Sequence, residues 1–252
     1  MLWNVSTIKG YAIAATDGTI GTVGDFLFDD SDWLVRWLVI DAGDWLSGRK
    51  VLLPPSALGS LDPARGEFAV KLTRQQVSDS PEFDSDLPVS RQVESSIYDY
   101  YDWNPYWGAD SGLGCDRVMA MAPALATKQR AESIPDRHGT KDNPHLRGAV
   151  ALTGTHIHAT DGEIGHVENF IIDDAGWSIR YLIVDTSNWW SGESVLISPR
   201  SVRTIDWTDR LIDLDVDRQK VKDAPRYDPA ITVDGAYDEQ FLTYYGIRFV
   251  AV

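Results

Sequence analysis

The sequence predicts an all-β protein made of two small β-barrels in tandem, and three observations carry that reading. The chain repeats itself at an offset of 144 residues, each copy is a series of short apolar runs closed by turn residues, and the stretch between the copies has no aromatic residue. Thr16-Asp17-Gly18-Thr19-Ile20-Gly21-Thr22-Val23 returns as Thr160-Asp161-Gly162-Glu163-Ile164-Gly165-His166-Val167. The same offset pairs Phe26 with Phe170, Asp29-Asp30 with Asp173-Asp174, Trp33 with Trp177, Arg36 with Arg180 and Asp41 with Asp185. Without a gap, 29 of the 80 positions in 11–90 match those in 155–234. Chance would give about one in fifteen to twenty at ordinary amino-acid usage. A duplicated module is the reading.

Within a module the elements follow in order. Asp17-Gly18 and Asp161-Gly162 are turn signals, because glycine tolerates positive φ. Apolar Ile20, Val23, Phe26 and Phe28 follow, then a polar turn at Asp29-Asp30-Ser31-Asp32, then the dense apolar run Trp37-Leu38-Val39-Ile40. Val51-Leu52-Leu53 is a further short strand, closed by Pro54-Pro55. Residues 67–72 alternate with the period of two that marks a half-buried strand. Thr73-Arg74-Gln75-Gln76 fits a capping box and opens a short helical turn that Pro81 stops. Several short strands in so small a module predict a barrel. An aromatic C-terminal tail follows each one.

The expected division is 1–107 for the first module with its tail, 108–147 for an irregular linker and 148–252 for the second module. The linker has no Phe, Trp or Tyr and little to bury; within it, 118–129 is rich in Ala and Met and suits a short helix. The formal charge is −15, and each module carries −8 while the linker carries +1. Acidity so spread argues against nucleic acid and anionic lipid as main partners. No apolar run nears the roughly 18 residues of a membrane span, and the first residues lack a signal peptide's pattern. The expectation is a cytoplasmic protein without a transmembrane segment. The single Cys115 excludes an internal disulfide and a cysteine-based zinc site.

Asp-Gly-x-Ile-Gly-x-Val, then Phe-x-x-Asp-Asp, then Arg-(Trp/Tyr)-Leu-hydrophobic-hydrophobic-Asp, occurs in both copies. Val-Leu-(Leu/Ile)-x-Pro comes next, and in the first copy Leu-Thr-Arg-Gln-Gln-Val-x-x-x-Pro-Glu-Phe. This order resembles the PRC-barrel domain, found in the cytoplasmic part of the photosynthetic reaction-centre H subunit and in the C-terminal half of the ribosome-maturation factor RimM. The resemblance covers nearly all of both modules. It implies a six-stranded, mostly antiparallel barrel used for contacts with other macromolecules. The H subunit's transmembrane helix and RimM's preceding N-terminal barrel have no counterpart here, so neither specific role carries across.

Asp29, Asp30 and Asp32, with Asp173 and Asp174, are the densest carboxylates, but the second copy keeps only two and no calcium-loop spacing follows. A solvated hairpin turn is the better account. His156 and His158 lie on one face of a strand, with His166 after the next turn; the first module has Ala12, Ala14 and Thr22 there, so a metal site is not assigned. Cys115 lacks an activating neighbour. Ser47-Gly48 and Ser191-Gly192 each follow a Trp and read as turns. Asp41 and Asp185 end the apolar strand and Arg36 and Arg180 begin it, suiting pairing or backbone capping. No catalytic, cofactor-binding or metal residue is assigned, and no cofactor is expected.

The aromatic tails are the most unusual feature. Tyr98 to Trp107 holds six aromatics in ten positions, and Tyr100-Tyr101 falls on Tyr244-Tyr245. The interface candidates are Tyr100, Tyr101, Trp103, Tyr106, Trp107, Tyr244 and Tyr245. Two readings stand together: rings that cover a barrel end or join the modules, and rings that bind a partner. The expected function is a non-enzymatic interaction or scaffold protein with a protein partner, a homo-oligomer being open. The alternative is an accessory factor of a membrane-associated electron-transfer or photosynthetic complex, held peripherally; a ribosome-maturation role is disfavoured by the charge.

Overall fold

The structure is a computed structural model, and it describes residues 1–83, 89–108, 145–187, 194–225, 227–228 and 235–245. Most of the expected linker, with Cys115 and the 118–129 segment, lies outside the described residues, as do Trp189, Ser191 and Gly192. The chain divides into two compact units, Met1–Asp79 with His145–Val252, and Ser80–Pro144. Both strand-bearing parts of the repeat therefore belong to one unit.

The first copy runs β1 (Leu2–Asn4), α1 (Val5–Ile8), β2 (Ala12–Ala15), β3 (Gly18–Asp29), β4 (Val35–Asp41), β5 (Lys50–Leu53), β6 (Leu58–Asp62), β7 (Glu67–Val70) and α2 (Arg74–Ser78). The β2–β3 hairpin closes on Thr16 and Asp17, with Ala15 opposite Gly18. The turn acid is used again, since Asp17 Oδ1 accepts the Arg74 N–H at the start of α2, 2.8 Å away. In β3, Ile20, Val23, Phe26 and Phe28 are all buried, although their spacing is not strictly two. Bulges between Val23 and Asp25 and between Leu27 and Phe28 reset the alternation and bend the long strand. The capping box at α2 forms as expected: Thr73 accepts from the Gln76 N–H, and Gln76 Oε1 accepts from the Thr73 N–H at 2.9 Å.

The second unit contributes α3 (Arg91–Tyr101). The second copy then runs β8 (Leu146–Gly148), α4 (Ala149–Leu152), β9 (His156–Ala159), β10 (Gly162–Asp173), β11 (Ser178–Asp185), β12 (Ser194–Ile197), β13 (Val202–Asp206), β14 (Leu211–Leu214), α5 (Arg218–Lys222) and α6 (Gly235–Tyr245). β3 and β10 coincide at both ends when shifted by 144 residues.

Each copy builds its own sheet. The orders are β5-β4-β3-β2-β7-β6 and β12-β11-β10-β9-β14-β13, so the pairing scheme is the same twice. The ladders are antiparallel except for β2–β7 and β9–β14, which are parallel. Each path holds six strands of its own module, as the resemblance implies, and among the described residues its two ends are not hydrogen-bonded to each other. The motif glycines are needed for space. A Cβ on Gly21 would lie 2.1 Å from the Asp41 carbonyl oxygen, and one on Gly165 1.9 Å from that of Asp185. Only glycine lets the long strand cross so close to the end of its neighbour.

The sequence does not announce how the modules join. β1 pairs with β10 of the second module, and β8 pairs with β3 of the first. Leu2 stands opposite Asp173, and Leu146 opposite Asp29. Adding or subtracting 144 turns one register into the other, so the exchange is reciprocal about a pseudo-twofold relation. The aromatic tails, to which the sequence reading assigns no secondary structure, include the helices α3 and α6.

Candidate functional site

α3 carries the first aromatic cluster. Ser90 Oγ accepts the Val93 N–H at 3.3 Å and starts the helix. At its end Asp102 is left-handed (φ 55°), and the Trp103 N–H reaches back to the Tyr98 carbonyl at 3.0 Å. This closure turns the chain so that the rings after the helix meet those on it. Trp103 stacks on Tyr101 with centroids 4.2 Å apart and planes 12° apart. Tyr100 meets Tyr101 edge-on at 4.7 Å, and Tyr98 meets Trp107 edge-on at 5.2 Å. Tyr100 is 41% exposed, whereas Tyr101, Trp103, Tyr106 and Trp107 are half-buried.

A charged network fixes the cluster. The Arg91 guanidinium sits 4.2 Å over the Trp107 ring, and its Nη1 donates to Tyr106 Oη at 2.9 Å. Tyr106 Oη donates to Glu94 Oε1 at 3.0 Å, and Arg91 Nη1 lies 3.2 Å from Glu94 Oε2. Burial first, and the Glu94 charge second, push the Tyr106 phenol well above its ordinary value. It stays protonated and holds its donor role. Five of the candidates thus lie in the second unit in two ring groups, Tyr100–Tyr101–Trp103 and Tyr98–Tyr106–Trp107, and the charged network holds the second.

Tyr244 and Tyr245 belong to the other unit and pack against their own module. Phe241 of α6 meets Tyr181 at 4.7 Å and joins the core cluster of Ile171, Tyr181, Ile183 and Leu196, with Tyr237, Tyr245 and Leu2 packed against it. Tyr244 Oη donates to the Lys220 carbonyl at 2.8 Å. Asp238 fastens the helix to β11: it accepts from Arg180 Nε at 3.2 Å, from Arg180 Nη2 at 2.8 Å and from the Tyr181 hydroxyl. Burial raises the Tyr237 phenol to about 12. Sequence reasoning did not single out Asp238 or Glu94. The signal was available, since the repeat offset places both at the same position of a tail helix.

The turn acids are more engaged than a solvated hairpin. Asp29 is 9% exposed, and its Oδ1 accepts the Ser31 N–H at 3.0 Å. Asp29, Asp30 and His145 hold ligand-type atoms within 4.8 Å of one another. His145 reaches this place only because β8 crosses to β3, so the sequence reading did not include it. The oxygens already face cations and donors. His145 Nδ1 is 2.8 Å and Arg147 Nε 3.5 Å from Asp30, Trp207 Nε1 donates to Asp30 at 2.9 Å, and Arg36 Nη2 is 4.0 Å from Asp29. The group therefore ties β8 to the first module. At the matching junction Asp174 accepts from Trp3 Nε1 at 2.8 Å and from the Met1 amino nitrogen.

The remaining candidates are structural in placement. His156 Nδ1 is 3.0 Å from Glu163, and His166 Nε2 is 3.9 Å from Asp185, so these two rings face different carboxylates. His158 stands opposite Glu163 in the ladder. Asp41 Oδ1 accepts the Gly43 N–H at 3.0 Å, and Asp185 Oδ1 the Ser187 N–H at 2.8 Å, so both cap the backbone after their strands. Arg36 pairs with Asp32, and Arg180 with Asp238.

Comparison with known proteins follows the same division. The family model of the PRC-barrel domain matches residues 4–74 and 152–220. The chain is also similar to an uncharacterized protein of Deinococcus radiodurans, 34% identical over 173 residues, covering 57% of this chain. The chain covers 62% of that relative, less than two thirds of its length. Each matched segment spans the sheet of one module.

Proposed function

Because the chain belongs to the PRC-barrel family through both of its modules, we propose that it is a non-enzymatic interaction protein built from two PRC-type barrels. It docks a protein partner through the aromatic cluster of α3. The observation that carries this reading is the stack of Tyr101 on Trp103 beside the exposed Tyr100. Tyr and Trp give large contact area at low cost in side-chain entropy, and with Arg they dominate binding energy at interfaces. The second tail packs Phe241, Tyr237 and Tyr245 on its own sheet. We keep in this proposal the cytoplasmic location expected from the sequence. No helix among the described residues is long and apolar enough to cross a membrane. The net charge of −15 disfavours nucleic acid as the partner.

The test is cross-linking mass spectrometry in source cells with the wild type and with Tyr101→Ala/Trp103→Ala. Cross-links from the wild-type α3 region to a partner, lost in the variant while its melting temperature is kept, support the reading. Partner cross-links unchanged in the variant overturn it. A partner that sediments with membranes would instead favour the accessory-factor reading.

A further inference from the structure

The two places where the modules exchange their first strands are related by the repeat but differ in chemistry. At the first, Asn4 is the N-cap of α1, and its Oδ1 accepts from the Ser6 N–H at 3.0 Å and from Asn169 Nδ2 at 2.7 Å. Asn169 Oδ1 in turn accepts the Phe170 N–H at 2.8 Å. At the second, the offset replaces Asn4 by Gly148 and Asn169 by Asp25. Gly148 has no side chain with which to cap α4. Asp25, on the other module, does it instead: its Oδ1 accepts the Val150 N–H at 3.1 Å as well as the Phe26 N–H at 2.8 Å.

The glycine is not there for backbone freedom. Gly148 has φ −77° and ψ 138°, close to the −70° and 128° of Asn4. Any residue adopts these angles. What a side chain would meet is Asp25: a Cβ would stand 2.7 Å from its Oδ2, and the carboxylate would have to shift from the Phe26 and Val150 N–H groups it caps. An Asn4-type segment laid on β3 would collide with Asp25. A Gly148-type segment laid on β10 would leave Asn169 Nδ2 without its acceptor on Asn4.

We propose that Asp25–Gly148 and Asn4–Asn169 are the specificity-determining pairs of the exchange. They make β3 a docking edge for the first strand and helix of a second-module segment, and β10 one for a first-module segment, both from the same chain. Each module refuses a segment of its own type. This inference does not depend on the partner surface of α3.

Two mirrored mutant cycles on the full chain test it, read by thermal unfolding and by mass from light scattering. Gly148→Asn should lower the melting temperature by more than about 5 °C. Adding Asp25→Asn, which rebuilds the first junction's pair at the second, should recover at least half of that loss. Asn169→Asp should likewise lower it, and adding Asn4→Gly should recover it. Each variant should keep the wild type's mass. If the second substitution gives no recovery in either cycle, the proposal is overturned. Should Gly148→Asn fail to fold, soluble expression of Gly148→Asn/Asp25→Asn decides: folded supports the proposal and unfolded contradicts it.

Discussion

The carbonyls of Trp33 and Trp177 each accept a hydrogen bond from the other module's strand. The Ile179 N–H donates to the Trp33 carbonyl at 2.8 Å, and the Val35 N–H donates to the Trp177 carbonyl at 2.7 Å. Both tryptophans have positive φ, 62° and 48°. In that conformation each turn ends with its carbonyl directed at the partner strand, an arrangement a bulky residue holds only when its surroundings enforce it. The Trp177 ring lies 6.2 Å from that of Phe68, so the second module's turn packs on the first module's core. With the two strand exchanges, these bonds make one unit of the two copies.

The Asp238 network should be costly to break. Asp238 is 8% exposed and accepts from both Arg180 and Tyr181. Asp238→Ala should cost about 3 kcal/mol, the lower end for a buried pair that loses one partner, because the Arg180 side chain keeps some water. Asp238→Asn keeps an acceptor and should cost less. Urea titrations of the three proteins measure the difference.

Asp25 should give the protein a pH-dependent penalty. Burial raises its carboxyl above the ordinary 3.8, against the hydrogen bonds from Phe26 and Val150 that pull it down. The folded state then binds the proton more tightly than the unfolded state. The Asp25 contribution is most favourable below pH 3.8 and is lost as pH rises through the elevated folded value. Asp25→Asn does not titrate. Its melting temperature relative to wild type should therefore rise between pH 4 and pH 7, which calorimetry at the two pH values checks.

Gly21→Ala should destabilise severely. The added methyl meets the Asp41 carbonyl at 2.1 Å, and backbone rather than a side-chain end must move. A loss of about 3 kcal/mol or more follows from overpacking at a rigid crossing. Gly24→Ala, three residues away, meets its nearest atom at 3.5 Å and should cost much less. Chemical denaturation of both variants gives the comparison.

Within α3, Tyr106→Phe should loosen the helix end. It removes the hydroxyl that links Arg91 to the fully buried Glu94. A charge-assisted hydrogen bond of this kind is worth about 1.5–3 kcal/mol. Hydrogen exchange should show faster amides across α3 and unchanged amides in β3 and β10.

Much of this architecture is written locally. The repeat offset, the Ile-Gly-x-Val glycines, the Thr73–Gln76 capping box and the buried Trp37–Ile40 run all sit where pattern and propensity put them. The strand exchange is not written locally. β1 and β8 are three residues each, Leu-Trp-Asn and Leu-Arg-Gly, too short to show a period and paired only through tertiary contact. His145, Arg147 and Trp207 converge on Asp30 for the same reason. The helical tails are legible in principle: Ile97, Tyr98 and Tyr101 follow helical spacing, with Ser90 placed to cap, but aromatic residues are poor helix formers and mask the period. The seven interface candidates fall in two units, and the equivalent helix positions Ile97 and Phe241 are both fully buried, Phe241 in the core of its own sheet.

The reciprocal exchange is the central claim, and a cysteine pair tests it directly. Leu2 lies opposite Asp173, and the repeat equivalent of Asp173 in the first module is Asp29. In a Cys115→Ser background, Leu2→Cys/Asp173→Cys should form a disulfide within one chain under mild oxidation, because residues directly opposite in an antiparallel pair meet the distance requirement. Leu2→Cys/Asp29→Cys should not. Non-reducing electrophoresis with peptide mapping reads both. Rapid intrachain closure of the 2–173 pair alone is the expected result; closure of the 2–29 pair instead, or a 2–173 bond found only between chains, would contradict it.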